Sequence, residues 1–146
     1  MRQFQFKTTM NSIPNPLQVS AFDHITLIVD DIEATRNFYV GLLGMKEMPR
    51  PDFDFPGAWF QIGKIQIHIT ASSELAGLAG WGDRKVKSLS RGHHFAFQVK
   101  SVEKAFQEIQ RLDLKIASGP KFRPDGIHQI YIYDPDDHLV ELFSIP

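Results

Sequence analysis

His24, His68 and His94 are the side chains whose type and setting best suit chemistry. Each falls in a stretch of strict alternation. Within Phe22–Asp31, Ile25, Leu27 and Val29 share one face of a strand, and His24 and Thr26 share the other. Within His94–Val99, Phe95, Phe97 and Val99 oppose His94, Ala96 and Gln98. Within Lys64–Thr70, Ile65, Ile67 and Ile69 oppose Gln66, His68 and Thr70. Imidazoles with small or polar neighbours, backed by a continuous apolar face, suit a hydrated cavity rather than a dry core. Such a ring can bind a metal or move a proton near neutral pH. His93 is adjacent to His94, so it points to the opposite face. The register with His24 selects His94 for the cavity.

The sequence contains no cysteine. Disulfides and thiolate ligands are therefore excluded, and a metal site must use nitrogen and oxygen. That donor set points to Zn, Mn, Fe, Co or Ni in a catalytic role. Carboxylate pairs, Ser–His–Asp sets and phosphate loops do not stand out. Gly77, Gly80 and Gly82 lack the strand-to-helix context of a dinucleotide loop.

The elements that must position these residues are legible in order. Asp30 or Asp31 caps a helix carrying Ile32, Thr35, Tyr39, Leu42 and Leu43, and Gly44 stops it. Met45–Met48 begins a short strand, and Arg50–Gly57 is a loop. Ala58–Ile62 and Lys64–Thr70 form a hairpin at Gly63. Ala71–Arg91 is a long connection, either a flap or a linker. A strand over 92–99 then leads to Ser101, which caps a helix with Val102, Ala105, Phe106, Ile109 and Leu112 on one face. Lys115–Ala117 is a strand and Phe122–Gly126 a loop. His128–Tyr133 and Leu139–Phe143 are strands around the turn Asp134–Asp137.

The order is strand, helix and three strands, twice. At one offset His24 matches His94, Val29 matches Val99, Ile32 matches Val102 and Leu42 matches Leu112. After a shift in a loop, Gly63 matches Asp136 and His68 matches Glu141. The expectation is an α+β fold of two βαβββ modules, residues 21–70 and 92–146, joined by a linker over 71–91 and preceded by an arm over 1–20. The 146 residues suffice for one domain with a core. A net charge of −1 argues against nucleic acid or membrane-surface partners. No apolar run approaches the ~20 residues that span a bilayer, and Met1–Ser20 lacks a signal-peptide core, so a cytoplasmic protein is expected.

Four segments carry a family resemblance: Asp23–Leu27, Asn37–Met45, His94–Val99 and Tyr133–Leu142. Together they resemble the vicinal oxygen chelate superfamily over about residues 20–145. That group holds glyoxalase I, extradiol dioxygenases, methylmalonyl-CoA epimerase, fosfomycin-modifying enzymes and metal-free bleomycin-resistance proteins. The resemblance implies two modules whose sheets curl around a cavity, with one divalent ion (Fe, Mn, Ni, Co or Zn) held by the first and fourth strand of each. Carried over by position, its ligands are His24, His68, His94 and Glu141. One departure is Asp137, which stands where the family usually has glycine before the last strand.

His68 leaves two alternatives. It is a fourth ligand, or it stands back as a catalytic proton carrier and leaves two histidines and one carboxylate. Tyr131 and Tyr133 are candidates to hydrogen-bond a substrate, or ordinary strand tyrosines. Trp59 and Phe60 read as core, with Trp59 also a candidate pocket wall. Arg123 and His128 flank a loop that either closes over a site or is simply solvated.

The resemblance implies a metal-dependent enzyme acting on a small oxygen-bearing substrate, by isomerase or lyase chemistry or as a dioxygenase. An acid is usual at position 68 in glyoxalase-type members, and the chain is short for the two-domain dioxygenases. Thiol transfer to an antibiotic is a third reading. A non-catalytic binding protein of the bleomycin-resistance type is the alternative outside enzymes, against which the retained ligand set counts. The resemblance also implies a homodimer, with His24 and His68 of one chain meeting His94 and Glu141 of the other. Pairing within one chain stays open.

Overall fold

The computed structural model describes residues 16–81 and 92–146. The last ten residues of the linker, 82–91 with Gly82, and residues 1–15 of the arm lie outside the described residues. Strand β1 (His24–Val29) leads into helix α1 (Ile32–Arg36), which Asp31 caps by accepting from the Ala34 N–H. Strands β2 (Lys46–Met48), β3 (Gly57–Ile62) and β4 (Ile65–Ala71) complete the first sheet, in the order β1-β4-β3-β2. The second half repeats it with β5 (His94–Gln98), helix α2 (Val102–Arg111), β6 (Ile116–Phe122), β7 (His128–Tyr133) and β8 (Leu139–Ser144), in the order β5-β8-β7-β6. In both sheets the first and last strands pair in parallel and the others are antiparallel.

The α+β reading and the repeat are therefore present in three dimensions. His68 pairs with Thr26, and Glu141 pairs with Ala96, the residue equivalent to Thr26. The shift between the two offsets falls outside the paired strands, so it leaves this register intact.

The apolar faces of both sheets meet in one core. Leu27, Val29, Phe60 and Ile69 from the first module join Ile130, Ile132, Val140 and Leu142 from the second. Phe60 is fully buried, which is worth about 1.5–3 kcal/mol over leaving it in water. Polar contacts cross the same seam. The Tyr39 hydroxyl donates to Asp134 Oδ2 at 2.7 Å, and the Asp30 N–H donates to Asp136 Oδ1 at 3.1 Å. His138 Nδ1 shares Asp134 Oδ2 at 2.8 Å, and Asp134 Oδ1 accepts from the backbone N–H groups of Asp136 and His138. The described part of the linker is tied down too, since the Gly80 N–H donates to Ile28 O at 3.0 Å.

Three local readings are corrected. The helix expected through Leu43 changes to π-helical turns over Asn37–Leu42. The wider turn lets the adjacent Phe38 and Tyr39 both be buried, which α-helical spacing does not favour. The strand expected over Lys115–Ala117 runs on to Phe122, past the cis Gly119–Pro120 bond, with register shifts against β7. Leu112, placed on the buried helix face, is the exposed C-cap of α2. Asp137 sits at φ 63°, in the region glycine favours, and its carboxylate pairs with Lys115 Nζ at 3.0 Å. Aspartate tolerates this left-handed region better than most residues. Among the described residues no helix is long and apolar enough to cross a membrane.

Candidate metal centre

Strand alternation dictates which side chains leave the core. On β3, Ala58 and Phe60 are buried, so Gly57, Trp59 and Gln61 face the other way, with Gln66, His68 and Thr70 of β4 and His24 of β1. On this face three rings stack. Trp59 lies 4.1 Å from His68 at an interplanar angle of 6°, and His68 lies 3.9 Å from His24 at 12°. Trp59 is thus a wall of the site face, whereas Phe60 is core as expected.

His24 Nδ1 is 2.7 Å from Asp23 Oδ2. A carboxylate accepts the Nδ1 proton and leaves the Nε2 lone pair for a ligand. His68 Nε2 is 2.9 Å from Gln66 Oε1. Burial, helped by the neighbouring His24 and the charge of Arg50, pushes the His68 pKa below the ordinary imidazole value, against the opposing pull of Asp23.

The second module assembles a different pair. His94 Nε2 faces Glu141 Oε2 at 3.2 Å, and His94 Nδ1 is 2.8 Å from Gly92 O. A carbonyl only accepts, so Nδ1 carries the proton, and in the neutral ring Nε2 presents its lone pair to the carboxylate. Two acceptors then face each other, with Glu141 buried at 6 % exposure. That arrangement calls for a cation or a proton between them. Two ligands each about 2.1 Å from one ion sit about 3.0–3.4 Å apart, so the observed spacing fits a shared metal. The Tyr131 ring packs edge-on against His94 at 5.3 Å, and Tyr131 is the register partner of Glu141. Burial, then the Glu141 carboxylate, raises the Tyr131 pKa, which keeps the phenol protonated.

The four candidate ligands do not gather at one point within the chain. Among the described residues, the group of three or more ligand-type side chains within 4.8 Å of one another is Asp23, His24 and His68. The rings of His24 and His68 are stacked 3.9 Å apart at 12°, so their in-plane lone pairs lie in nearly parallel planes. One ring would have to turn for both to reach a common ion. His93 lies outside β5, with its ring 5.9 Å from Trp81, consistent with its exclusion from the site. Tyr133 is half-buried, with Lys115 Nζ 4.5 Å from its ring. Arg123 pairs with Asp125 and its charge is felt at Tyr131, and His128 stacks on Phe122 at 4.3 Å. A cavity of about 210 Å³ between the modules is lined by core-face residues such as Leu43, Phe97 and Ile109, away from the imidazoles.

Sequence reasoning missed Asp23, Gln66 and Arg50. Asp23 had a signal, because a carboxylate directly before a ligand histidine can reach its Nδ1. The others depend on side-chain rotamers and loop shape.

The profile of the Glyoxalase/Bleomycin resistance protein/Dioxygenase superfamily matches residues 21–142. A protein named glyoxylase I 4 from Arabidopsis thaliana is 24% identical over 131 residues, covering 88% of this chain and 72% of the relative. The fosfomycin resistance protein FosX of Listeria monocytogenes is 28% identical, covering 86% and 90%. Among solved structures, a glyoxalase/dioxygenase from Nostoc punctiforme superposes with a TM-score of 0.69 at 26% identity, covering 94% of this chain and 99% of that one.

Proposed function

This chain belongs to the glyoxalase/bleomycin resistance protein/dioxygenase superfamily, and from that premise we propose that it is a metal-dependent enzyme whose ion is held by His24, His94 and Glu141. The observation that carries the reading is the buried pair of His94 Nε2 and Glu141 Oε2, 3.2 Å apart, with Nδ1 already bound to Gly92 O. His24 supplies the third donor, its Nδ1 likewise engaged by Asp23. His68 then stands behind His24 as a stacked, neutral ring able to take up a proton, the second of its two alternatives.

The proposal includes a homodimer. His24 and the His94–Glu141 pair are apart in one chain, yet β1 and β5, which carry the two histidines, are both edges of their sheets. A second copy can bring one edge to the other and complete two equivalent centres.

The ion, when bound, supplies Lewis-acid polarisation of a substrate oxygen. The chain's own groups do the rest. Protonated Tyr131 donates a hydrogen bond beside Glu141, Trp59 excludes water on one side, and His68 accepts or returns a proton. The reading is an isomerase or lyase acting on a small oxygen-bearing substrate. A second reading, O₂ chemistry, is favoured by one specific feature: two histidines and one carboxylate match the donor set of non-haem Fe(II) oxygenases. Sequestration without catalysis is disfavoured by the retained donors.

Elemental analysis of protein purified without chelators or an affinity tag tests this. About one equivalent of a divalent ion per chain is expected, and His94→Ala should weaken binding by at least about tenfold. Undiminished metal in that variant contradicts the assignment. Iron in the wild type favours O₂ chemistry; Zn, Ni, Co or Mn favours the isomerase or lyase reading.

A further inference from the structure

The loop between β2 and β3 reads Pro49-Arg-Pro-Asp-Phe-Asp-Phe-Pro56. Three prolines restrict its backbone. Phe53 and Phe55 stack at 5.3 Å and are both exposed, at 44% and 42%. The Arg50 guanidinium carbon lies 4.7 Å from the Phe53 ring centre and 4.8 Å from that of Phe55. Its Nη2 donates to Phe55 O at 3.0 Å. Flat rings and a carbonyl therefore hold the head group, which costs it less freedom when it binds a ligand.

Gly57 places this head on the site face. A Cβ there would lie 3.1 Å from both Nε and Nη2 of Arg50, and 2.3 Å from Ile69 O. Gly57 is in phase with Trp59 on β3 and pairs with Thr70, next but one to His68. Phe53 continues the surface to Trp59, at 6.3 Å between rings. The charge of Arg50 is also felt at His68. Among the described residues no carboxylate forms an ion pair with Arg50, although Asp52 and Asp54 flank it in the loop. The other arginines of the described residues, Arg36, Arg111 and Arg123, all have acidic partners.

We propose that Arg50, together with the Phe53–Phe55–Trp59 surface, is a recognition subsite for a carboxylate borne on a flat, apolar body. A guanidinium fork matches a planar carboxylate, and the exposed rings give the attached body an apolar surface to lie on. The claim that this ligand is the substrate rests on the metal-enzyme reading above. The claim that Arg50 binds such a ligand does not.

The probe is benzoate, with neutral benzamide as its control. Binding is read from tryptophan fluorescence in a Trp81→Phe background, where Trp59 is the remaining indole of the two in the sequence. Benzoate should quench Trp59 saturably, and Arg50→Gln should weaken its binding by at least about tenfold, with Arg50→Lys recovering part of it. Benzamide binding should change little. Equal benzoate affinity in the parent and Arg50→Gln overturns the proposal. So does a lack of benzoate binding in the parent, or an equal loss for benzamide, which would report lost packing instead of a lost charge pair. Metal content and circular dichroism are measured on the same samples. A metal-free parent would overturn the metal-enzyme reading while leaving the benzoate comparison intact. Metal retained without any benzoate dependence on Arg50 would overturn only the subsite.

Discussion

The two modules share a frame and treat it differently. Thr26 faces His68 across β1 and β4, as Ala96 faces Glu141 across β5 and β8. In the first module the face bearing His24 and His68 stays open, and the His24 side chain is 41% exposed. In the second, β7 and β8 are covered on both faces, and Glu141 lies next to Tyr131. The wet half carries two imidazoles stacked on an indole. The dry half carries the buried carboxylate, facing His94 Nε2 at 3.2 Å, and a proton or a cation between the two offsets the cost of burying it. One topology thus yields a platform on one side and a charged socket on the other.

Breaking the socket should have the largest effect. Glu141→Gln keeps the shape and removes the charge, and metal affinity measured by competition with a chromophoric chelator should fall about a hundredfold or more. Breaking the seam between the modules comes next. Tyr39 is buried and donates to Asp134, and burial, reinforced by the Asp134 charge, holds its pKa well above the ordinary phenol value. Tyr39→Phe should cost about 1–3 kcal/mol in urea unfolding. A cost near zero would mean that His138 and the backbone donors satisfy Asp134 by themselves. On the open side the effects should be smaller. Asp23 is 76% exposed, so Asp23→Asn should weaken metal binding by about tenfold or less.

The pH dependence separates the halves further. The folded state depresses the His68 pKa, so it binds fewer protons there than the unfolded chain. The stabilisation from neutral His68 is present above the ordinary imidazole value of about 6.5 and is lost as pH falls through the lower folded value. Metal-free wild type should therefore lose thermal stability on acidification over that window, and His68→Gln should flatten the loss.

Much of this was legible in the sequence because strand alternation is local. It placed His24, His68 and His94 opposite the apolar faces, selected His94 over His93, and matched His68 to Glu141. The Ser101 cap followed from its side chain alone, and it accepts from the Lys104 N–H as such a cap should. Other features were not local. The buried hydroxyl of Tyr39 finds its acceptor 95 residues away, in Asp134. The Trp59–His68–His24 stack depends on side-chain torsions across three strands, and periodicity carries no torsions. Arg50 reaches the site face through a loop whose path is set by prolines and by the space at Gly57, so no spacing rule points to it.

A metal centre shared between chains can be read from metal content in mixed variants. His24→Ala and Glu141→Gln are each purified, then unfolded and refolded together in equal amounts with the metal found in the wild type. Each variant alone should hold almost none. In the mixture half the dimers are mixed, and each mixed dimer regains one intact His24–His94–Glu141 set, so about one quarter of the wild-type metal should return. A mixture as empty as its parents, from wild type that reloads fully under the same refolding, would contradict the shared centre.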